Sequence, residues 1–341
     1  MYGRASFVFI QTLAALTLAT ACWKNPVDPS ELNGERVLFI RESMYASEIC
    51  VMDPAGSDVQ VVSRYEYDDK LSTEGYHALR WSRDKGQIVL AGGPGSTLEF
   101  WPLWLLNTEG VFLKKLIWNG HNPYWIGNDT LLIYSRRRGY FSELWDIFRI
   151  NVSTLEEDTL LFPETGDPGS NSGYIYTLYG VVPGRDTNLL LTELFTYQDS
   201  SGKKIDDDPE ILLFDYSTGE KTYLTDNNEW EAWVRISPDG KHIVYTRVNL
   251  GIYPYSNNIF LMTIGGGNIR QLTTSSTESY SYPIWSPDGK YLMFEATNVL
   301  SQGEYGKDNT VLVMNIESGM ADTVVHHVAE DNLFYRLMDW K

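Results

Sequence analysis

The sequence predicts an all-β protein, a six-bladed β-propeller of four-stranded blades whose ring is closed by the C-terminal strand. Two sets of internal repeats and a strand-forming composition lead to this prediction. Aromatic residues make up 13% of the 341 residues, and the chain contains 28 glycines. Because aromatic residues favour strands and glycines favour tight turns, this composition is typical of many short strands rather than of helices.

The first repeat is a short run of strand-forming residues that ends in Asp, Asn or Thr. Gly, Ser or Thr follows within a few residues, as in a tight turn. The copies recur roughly every 50 residues, and they comprise residues 48–53, 103–107, 146–151, 210–215, 258–263 and 310–315. Each copy is predicted to be the third strand of a blade.

The second repeat is an aromatic or apolar anchor residue, a polar turn and another strand. In the two clearest copies, Ser-Pro-Asp-Gly-Lys follows Ile236 and Trp285. Looser copies start at Trp81, Trp125 and Val182, and the last anchor is Trp340. Interleaving the two repeats gives four strands per unit, and four strands in roughly 50 residues are typical of a propeller blade.

The two sets of repeats are displaced from each other along the chain. The third strand near Asp53 has no anchor strand before it, and the anchor strand 335–340 has no blade after it. We therefore expect the C-terminal strand to become the innermost strand of the blade that starts at Val37. The propeller then occupies residues 36–341.

The anchor turns carry a family resemblance. The turns at 237–241 and 286–290, the preceding Pro283-Ile284-Trp285 and the third strands ending at Asp215 and Asn315 resemble the WD40-like repeats of TolB-like six-bladed propellers. The resemblance covers about residues 36–341 and is strongest in blades five and six. TolB itself carries an α/β domain ahead of its propeller, whereas the strand pattern here begins at Val37. The same repeat type occurs in oligogalacturonate lyases and in propellers that cap prolyl peptidases.

The N-terminus is predicted to be an export signal. Residues 1–21 combine Arg4 with an apolar run too short to span a membrane, as in a signal peptide. The run ends in Leu18-Ala19-Thr20-Ala21 before Cys22, which resembles a bacterial lipoprotein cleavage box and implies that Cys22 carries lipid. The alternative is an ordinary secretory cleavage site. Residues 22–35 are interpreted as a tether, and the expected location is the periplasmic side of the outer membrane or the cell surface.

The charge of the chain restricts its partners. The formal net charge is −18, which argues against nucleic acid because binding to phosphate backbones requires a basic surface. The expected partner is an envelope protein or a glycan, the only expected membrane attachment is the N-terminal lipid, and the expected state is a monomer.

The long connections point to a binding face. In a propeller, second-to-third and fourth-to-first connections share one face, and here these are the long ones, which usually mark the binding side of a repeat protein. The candidate partner-binding residues on these connections are Arg136, Arg137, Arg138, Tyr140, Tyr197, Tyr253, Tyr255 and Tyr282. The tyrosines present an apolar body with a polar tip and the arginines present carboxylate-binding forks. The alternatives are tyrosines that cover loop edges and arginines that are simply solvated.

No catalytic constellation is recognised, so the protein is predicted to be a non-enzyme without a cofactor. Gly169 to Gly173 has Asn171 where a nucleophile elbow requires Ser. His77 and His121 each lie four residues before an anchor tryptophan, and they are weak candidates for a metal site. The resemblance to oligogalacturonate lyases implies such a site and gives the alternative function, a metal-dependent polysaccharide lyase or a degenerate relative. The equivalent positions in the other blades are not histidine ligands: Leu178, Ala232, Ser281 and Arg336.

Overall fold

The computed structural model describes residues 34–341 except 44, 67–74, 95, 97–99, 138–144, 162–172, 199–203, 207, 249–255, 276, 300–304 and 328–333. The predicted signal peptide and all but the last two residues of the predicted tether lie outside the described residues. In the described ranges the regular structure consists of strands, numbered β1 to β25 in chain order. No helix in these ranges is long and apolar enough to cross a membrane.

The strands form six antiparallel sheets, which are the blades. Blade one contains β25 (Phe334–Trp340), β1 (Val37–Glu42), β2 (Ala46–Met52) and β3 (Gln60–Glu66). Blade two contains β4 (Tyr76–Trp81), β5 (Gln87–Gly92), β6 (Leu103–Asn107) and β7 (Phe112–Ile117). Blade three contains β8 (His121–Ile126), β9 (Leu131–Arg137), β10 (Trp145–Asn151) and β11 (Glu157–Leu161).

The remaining blades follow the same order. Blade four contains β12 (Gly173–Val182), β13 (Arg185–Gln198), β15 (Glu210–Asp215) and β16 (Glu220–Tyr223), with β14 (Lys204–Asp206) paired to β13. Blade five contains β17 (Trp230–Ile236), β18 (His242–Val248), β19 (Asn257–Thr263) and β20 (Arg270–Gln271). Blade six contains β21 (Glu278–Trp285), β22 (Tyr291–Val299), β23 (Tyr305–Asn315) and β24 (Ala321–His327). The six-bladed propeller predicted from the repeats is confirmed.

The ring closes through the C-terminal strand, as predicted. Strand β25 pairs with β1 from Val37 opposite Trp340 to Glu42 opposite Phe334. The pairing continues beyond the strands, because Arg36 and Lys341 exchange backbone hydrogen bonds of 2.6 and 2.9 Å. The indole of Trp340 also donates to the carboxylate of Glu35 at 2.7 Å.

Two segments predicted to be open connections are partly strand. Strand β13 continues beyond its pairing with β15 and forms a hairpin in which Thr196 lies opposite Asp206. Arg136 and Arg137 lie inside β9, where they pair with Asp146 and Trp145, rather than in the following loop. In both cases ladder hydrogen bonds pair the backbone of a segment that was predicted to be an open connection.

The anchor turns show why their sequence recurs. In blade five the hydroxyl of Ser237 donates to Asp239 at 2.6 Å and accepts from the His242 backbone N–H at 2.9 Å, and Gly240 supplies the left-handed φ of 70°. Blade six repeats these bonds with Ser286 and Asp288. The looser copy after Trp81 makes the same bonds through Ser82 and Asp84, so the predicted homology between these turns is confirmed.

The core lies between the blades. Each of the hydrophobic clusters in the described residues combines side chains from two neighbouring blades, as Phe39 and Leu337 of blade one do with Met293 of blade six. Each fully buried side chain contributes about 1.5–3 kcal/mol of transfer free energy. The blades therefore depend on their neighbours, and the inner strands are held rigidly around a central channel.

Candidate functional site

The strand order assigns the connections to two faces. Because successive strands of each blade are antiparallel, the first-to-second and third-to-fourth turns lie on one face, the short-turn face. The second-to-third and fourth-to-first connections lie on the other, the loop-rich face. Most of the long connections on the loop-rich face lie outside the described residues, and the described part of this face includes the mouth of the channel.

The inner strand of every blade is irregular where it passes the channel. The pairing of each inner strand with its neighbour shifts register at one or more points. Asn122, Trp233 and Tyr282 lie within such shifts with φ values of 47°, 48° and 51°, a region that non-glycine residues seldom adopt. A β-bulge changes the direction of a side chain, and all three side chains line the channel. Strained residues of this kind concentrate at functional sites.

The loop-rich mouth is a cavity of about 400 Å³ lined by rings. The imidazole of His77 stacks on the indole of Trp101 with centroids 3.6 Å apart, and Trp101 also contacts His121 at 4.2 Å. His121 in turn meets Trp145 edge-on at 4.5 Å. On other blades of the same cavity, the centroids of Trp233 and Tyr282 are 5.1 Å apart.

His121 is held as a neutral imidazole. Its residue is 5% exposed, and its Nε2 is buried without a hydrogen-bond partner in the described structure. Burial, the neighbouring His77 and the charge of Arg137 lower the pKa of His121 to about 3. A neutral imidazole is able to ligate a metal or accept a hydrogen bond from a ligand.

The two histidines predicted as weak metal candidates do meet in one cavity. They lie on adjacent blades and both contact Trp101. In the part of the chain that the structure describes, no group of three or more His, Cys, Asp or Glu side chains is placed to hold a metal ion. Leu178 and Arg336 line the same cavity from other blades.

A second cavity of about 550 Å³ opens on the short-turn face. The two cavities share Arg80, Tyr124, Tyr179, Arg235 and Met338, which form the waist of the channel. Arg80 and Arg235 were not predicted to be site residues, although their positions in the sequence carry a signal. Each arginine directly precedes the anchor residue of its blade, Trp81 or Ile236, at a position that faces the channel.

The predicted partner-binding residues have different environments. Tyr282 lines the loop-rich cavity. Arg136 binds Glu157 with two hydrogen bonds of 3.0 and 2.8 Å, and its guanidinium lies 3.7 Å from the ring centroid of Phe148. Arg136 thus helps to hold the outer strand of blade three.

The other predicted site residues are less fully described. Arg137 pairs with Trp145 in the ladder, and Tyr197 pairs with Ile205 in the hairpin of blade four. Four predicted partner-binding residues and the predicted lipidation site lie outside the described residues: Arg138, Tyr140, Tyr253, Tyr255 and Cys22.

The similarity of this chain to known proteins lies in its fold. No protein-family model matches it, and no curated protein matches its sequence. Among solved structures it is similar to TolB from Acinetobacter baumannii, with a TM-score of 0.61 and 16% identity over 89% of this chain and 66% of that one. It is also similar to the putative TolB from Agrobacterium tumefaciens, with a TM-score of 0.55 and 14% identity over 89% of this chain and 99% of that one.

Propellers of other function are similar at comparable levels. Oligogalacturonate lyase from Vibrio parahaemolyticus has a TM-score of 0.50 and 16% identity over 86% of this chain and 73% of the lyase. At these identities the similarity concerns the fold, and a fold of this kind supports several functions. The chain therefore has the fold of a TolB-like six-bladed β-propeller.

Proposed function

We propose that the protein is a binding propeller of the bacterial cell envelope that captures a protein or glycan partner at its loop-rich face, without chemistry of its own. The observation that carries this proposal is the ring-lined cavity of about 400 Å³ at the loop-rich mouth. Flat rings with polar edges are the groups that most often supply binding energy to protein and carbohydrate partners.

The arrangement of the rings supports a preformed site. Trp101 is held between contacts to two blades, because it touches His77 of blade two and His121 of blade three. Trp233 and Tyr282 are fixed by strained backbone in blades five and six. Side chains that are already ordered lose little conformational entropy when a partner binds, which favours affinity.

The proposed location rests on the N-terminal sequence. The apolar run before Cys22 is typical of an export signal, and the small residues that precede this cysteine favour lipid attachment. The similarity to TolB structures from two bacteria agrees with an envelope protein. We place the propeller on the periplasmic side of the outer membrane or at the cell surface.

The proposal is tested by capture experiments on the whole protein. Trp101→Ala removes the ring that contacts both histidines, and Tyr282→Asn removes a second ring while keeping a residue type that tolerates a left-handed φ. Each should weaken capture of a protein from envelope extracts, or of a glycan on an array, by about tenfold or more.

The matched controls lie on the opposite face. Lys241 and Lys290 are exposed and form ion pairs with the aspartates of their own turns at 3.5 and 3.1 Å. Lys241→Ala and Lys290→Ala should leave capture and melting temperature unchanged. If these variants abolish capture and the ring variants do not, the partner binds at the short-turn face and the proposal for the loop-rich face is wrong.

A second candidate function is favoured by the convergence of His77 and His121. Two imidazoles in one cavity are a partial ligand set for a metal-dependent lyase. Metal analysis of the purified protein separates the candidates. Stoichiometric manganese or zinc that is lost in His121→Ala would support the lyase, whereas binding without chemistry predicts no such dependence on His121.

A further inference from the structure

The waist of the channel contains a buried arginine, Arg80, and a half-buried arginine, Arg235, which face the same space. Arg80 and Arg235 come from blades two and five, which are opposite each other in the ring. Arg80 Nη1 donates to the carbonyl oxygens of Leu79 at 2.6 Å and Met338 at 3.0 Å, and its Nη2 donates to the Tyr124 hydroxyl at 2.9 Å. Arg235 Nη1 donates to the carbonyl oxygen of Val234 at 3.0 Å.

Neither guanidinium has a carboxylate partner within ion-pair distance in the described structure. Other half-buried arginines do have one, such as Arg247 with Glu231 at 3.2 Å. Asp339 lines the same cavity, but its two carboxylate oxygens accept the backbone N–H groups of Trp81 and Trp340 at 3.0 and 3.1 Å. The Nε of Arg235 is buried without a hydrogen bond.

The pKa values of the groups at the waist reflect the proximity of the two arginines. Burial lowers the pKa of Arg235, Tyr124 opposes this shift, and the charge of Arg80 adds to it. Burial also acts on Arg80, but there Tyr124 and Asp339 raise the pKa. Burial alone would raise the pKa of Tyr124, yet the two arginines together lower it. Because a buried charge is costly unless it is paired, the waist is an environment that favours an anion.

The cavity of the short-turn face gives a ligand access to these arginines. Three further cations line it, Arg83, Lys85 and Lys341, in a chain whose formal net charge is −18. A cationic cleft in an acidic protein selects anions from solution. Its apolar walls come from the anchor residues and the turn prolines: Trp81, Trp125, Trp285, Trp340, Pro183, Pro238 and Pro287.

We propose that the short-turn face of the channel is a binding site for a small ligand that carries an oxyanion, a carboxylate or phosphate, held between Arg80 and Arg235. Guanidinium groups present planar donor pairs that match such oxyanions. The apolar walls accommodate the uncharged part of the ligand, and a volume of about 550 Å³ is within the range of small-molecule sites. This site opens on the face opposite the proposed partner-binding surface, and the two cavities meet at the waist, where both are lined by Arg80 and Arg235.

The experiment measures melting temperature and tryptophan fluorescence while inorganic phosphate or malonate is titrated against sodium chloride of equal ionic strength. If the melting temperature or the fluorescence changes and saturates with phosphate, the ligand carries a phosphate. If it does so with malonate, the ligand carries a carboxylate. Arg235→Met and Arg235→Gln should weaken the response by about tenfold or more, since each removes charged hydrogen bonds. Without added anion these variants should melt at an unchanged or higher temperature, because a half-buried charge without an ion-pair partner in the described structure has been removed.

Arg247→Met is the matched control in the same blade. It leaves the buried carboxylate of Glu231 without its ion-pair partner, so it should lower the melting temperature and retain the anion response. The proposal is overturned if neither anion gives a saturable response in the wild type, or if the response survives unchanged in both Arg235 variants. Partner capture at the loop-rich face is measured separately with Trp101→Ala, because Trp101 lines the loop-rich cavity and not the cavity of the short-turn face.

Discussion

At the residue scale, the buried carboxyl group of Glu295 links two blades. Its residue is 3% exposed, and its Oε1 accepts the Leu337 backbone N–H of the closing strand at 2.7 Å. Burial raises the pKa of Glu295 to about 8, against the opposing effects of the Leu337 N–H and of Arg336. The group is therefore largely protonated in the folded protein at neutral pH.

This protonation makes stability depend on pH. The ordinary glutamate pKa of 4.5 applies to the unfolded chain, and the folded value is higher, so the folded state binds the proton more tightly. The contribution is fully present below about pH 4.5 and is lost as the pH rises through about 8. Glu295→Gln should lack this loss, and its stability relative to the wild type should rise by on the order of a few kcal/mol between pH 5 and pH 9. Denaturant unfolding at both pH values measures the free energy of unfolding of each protein. A difference between the two proteins that is the same at pH 5 and at pH 9 would contradict the prediction.

At the scale of single elements, one group of third-to-fourth strand turns packs against the preceding blade. Gly110 has a φ of 78°, and a Cβ atom there would lie 2.1 Å from the carbonyl oxygen of Val62 in blade one. Gly56 and Gly266 make equivalent contacts with Val324 and Leu224 of their preceding blades. Absence of a side chain at these turns is what permits the close approach of neighbouring blades.

Gly110→Ala should therefore destabilise the protein more than an alanine at a turn without such a contact. Gly219 has nearly the same φ, 77°, with no atom within 4 Å of a Cβ position. Gly219→Ala should cost about 1 kcal/mol of backbone strain. Gly110→Ala should cost about 3 kcal/mol, because the clash is added. Equal free energies of unfolding for the two variants would show that the blades are not held at this distance.

Strand β25 is the element that closes the ring. Trp340 is 3% exposed and packs in the cluster between blades six and one. Truncating a buried aromatic side chain costs about 3–5 kcal/mol, a large part of a typical total stability of about 5–15 kcal/mol. Trp340→Ala should lower the melting temperature strongly. Deletion of residues 333–341 exposes the ladder edge of β1 and should give a poorly folded or aggregating product. A truncated protein with the wild-type melting temperature would exclude closure by this strand.

At the scale of the whole molecule, the predicted lipid anchor lies outside the described residues of the propeller. The propeller contains one described cysteine, Cys50, which is fully buried, and burial raises the pKa of its thiol to about 12. An inert, inaccessible thiol of this kind is no alternative site for lipid attachment. If the N-terminal interpretation is right, membrane attachment depends on Cys22.

Cys22→Ser should release the protein from the membrane fraction into the soluble periplasmic or medium fraction. The propeller itself should keep its melting temperature, because the closing strand and the hydrophobic clusters of the described structure are formed by residues 37–340. Detergent partitioning of cell fractions measures the change, with Cys50→Ala as the control that keeps its anchor. Unchanged partitioning of Cys22→Ser would remove the case for a lipid anchor.

The number of blades, the order of their strands and the closure of the ring could all be predicted from the two sets of repeats. The signals for blades and strand order are local: serine, aspartate and glycine recur in the turns after Trp81, Ile236 and Trp285, and strand-forming runs end where a turn begins. Even the looser turn after Trp81 carries enough of this chemistry, through Ser82 and Asp84, to form the same bonds.

The side chains that meet in the channel could not be predicted from the sequence, because they come from blades that are far apart along the chain. Arg80 and Arg235 belong to opposite blades, and they face one space because the ring brings inner strands from both sides to a single axis. The bulges that turn Trp233 and Tyr282 toward that axis depend on the pairing of each inner strand with its neighbour. Local sequence specifies a strand and its turn, whereas the convergence of side chains across the axis arises from the packing of all six blades.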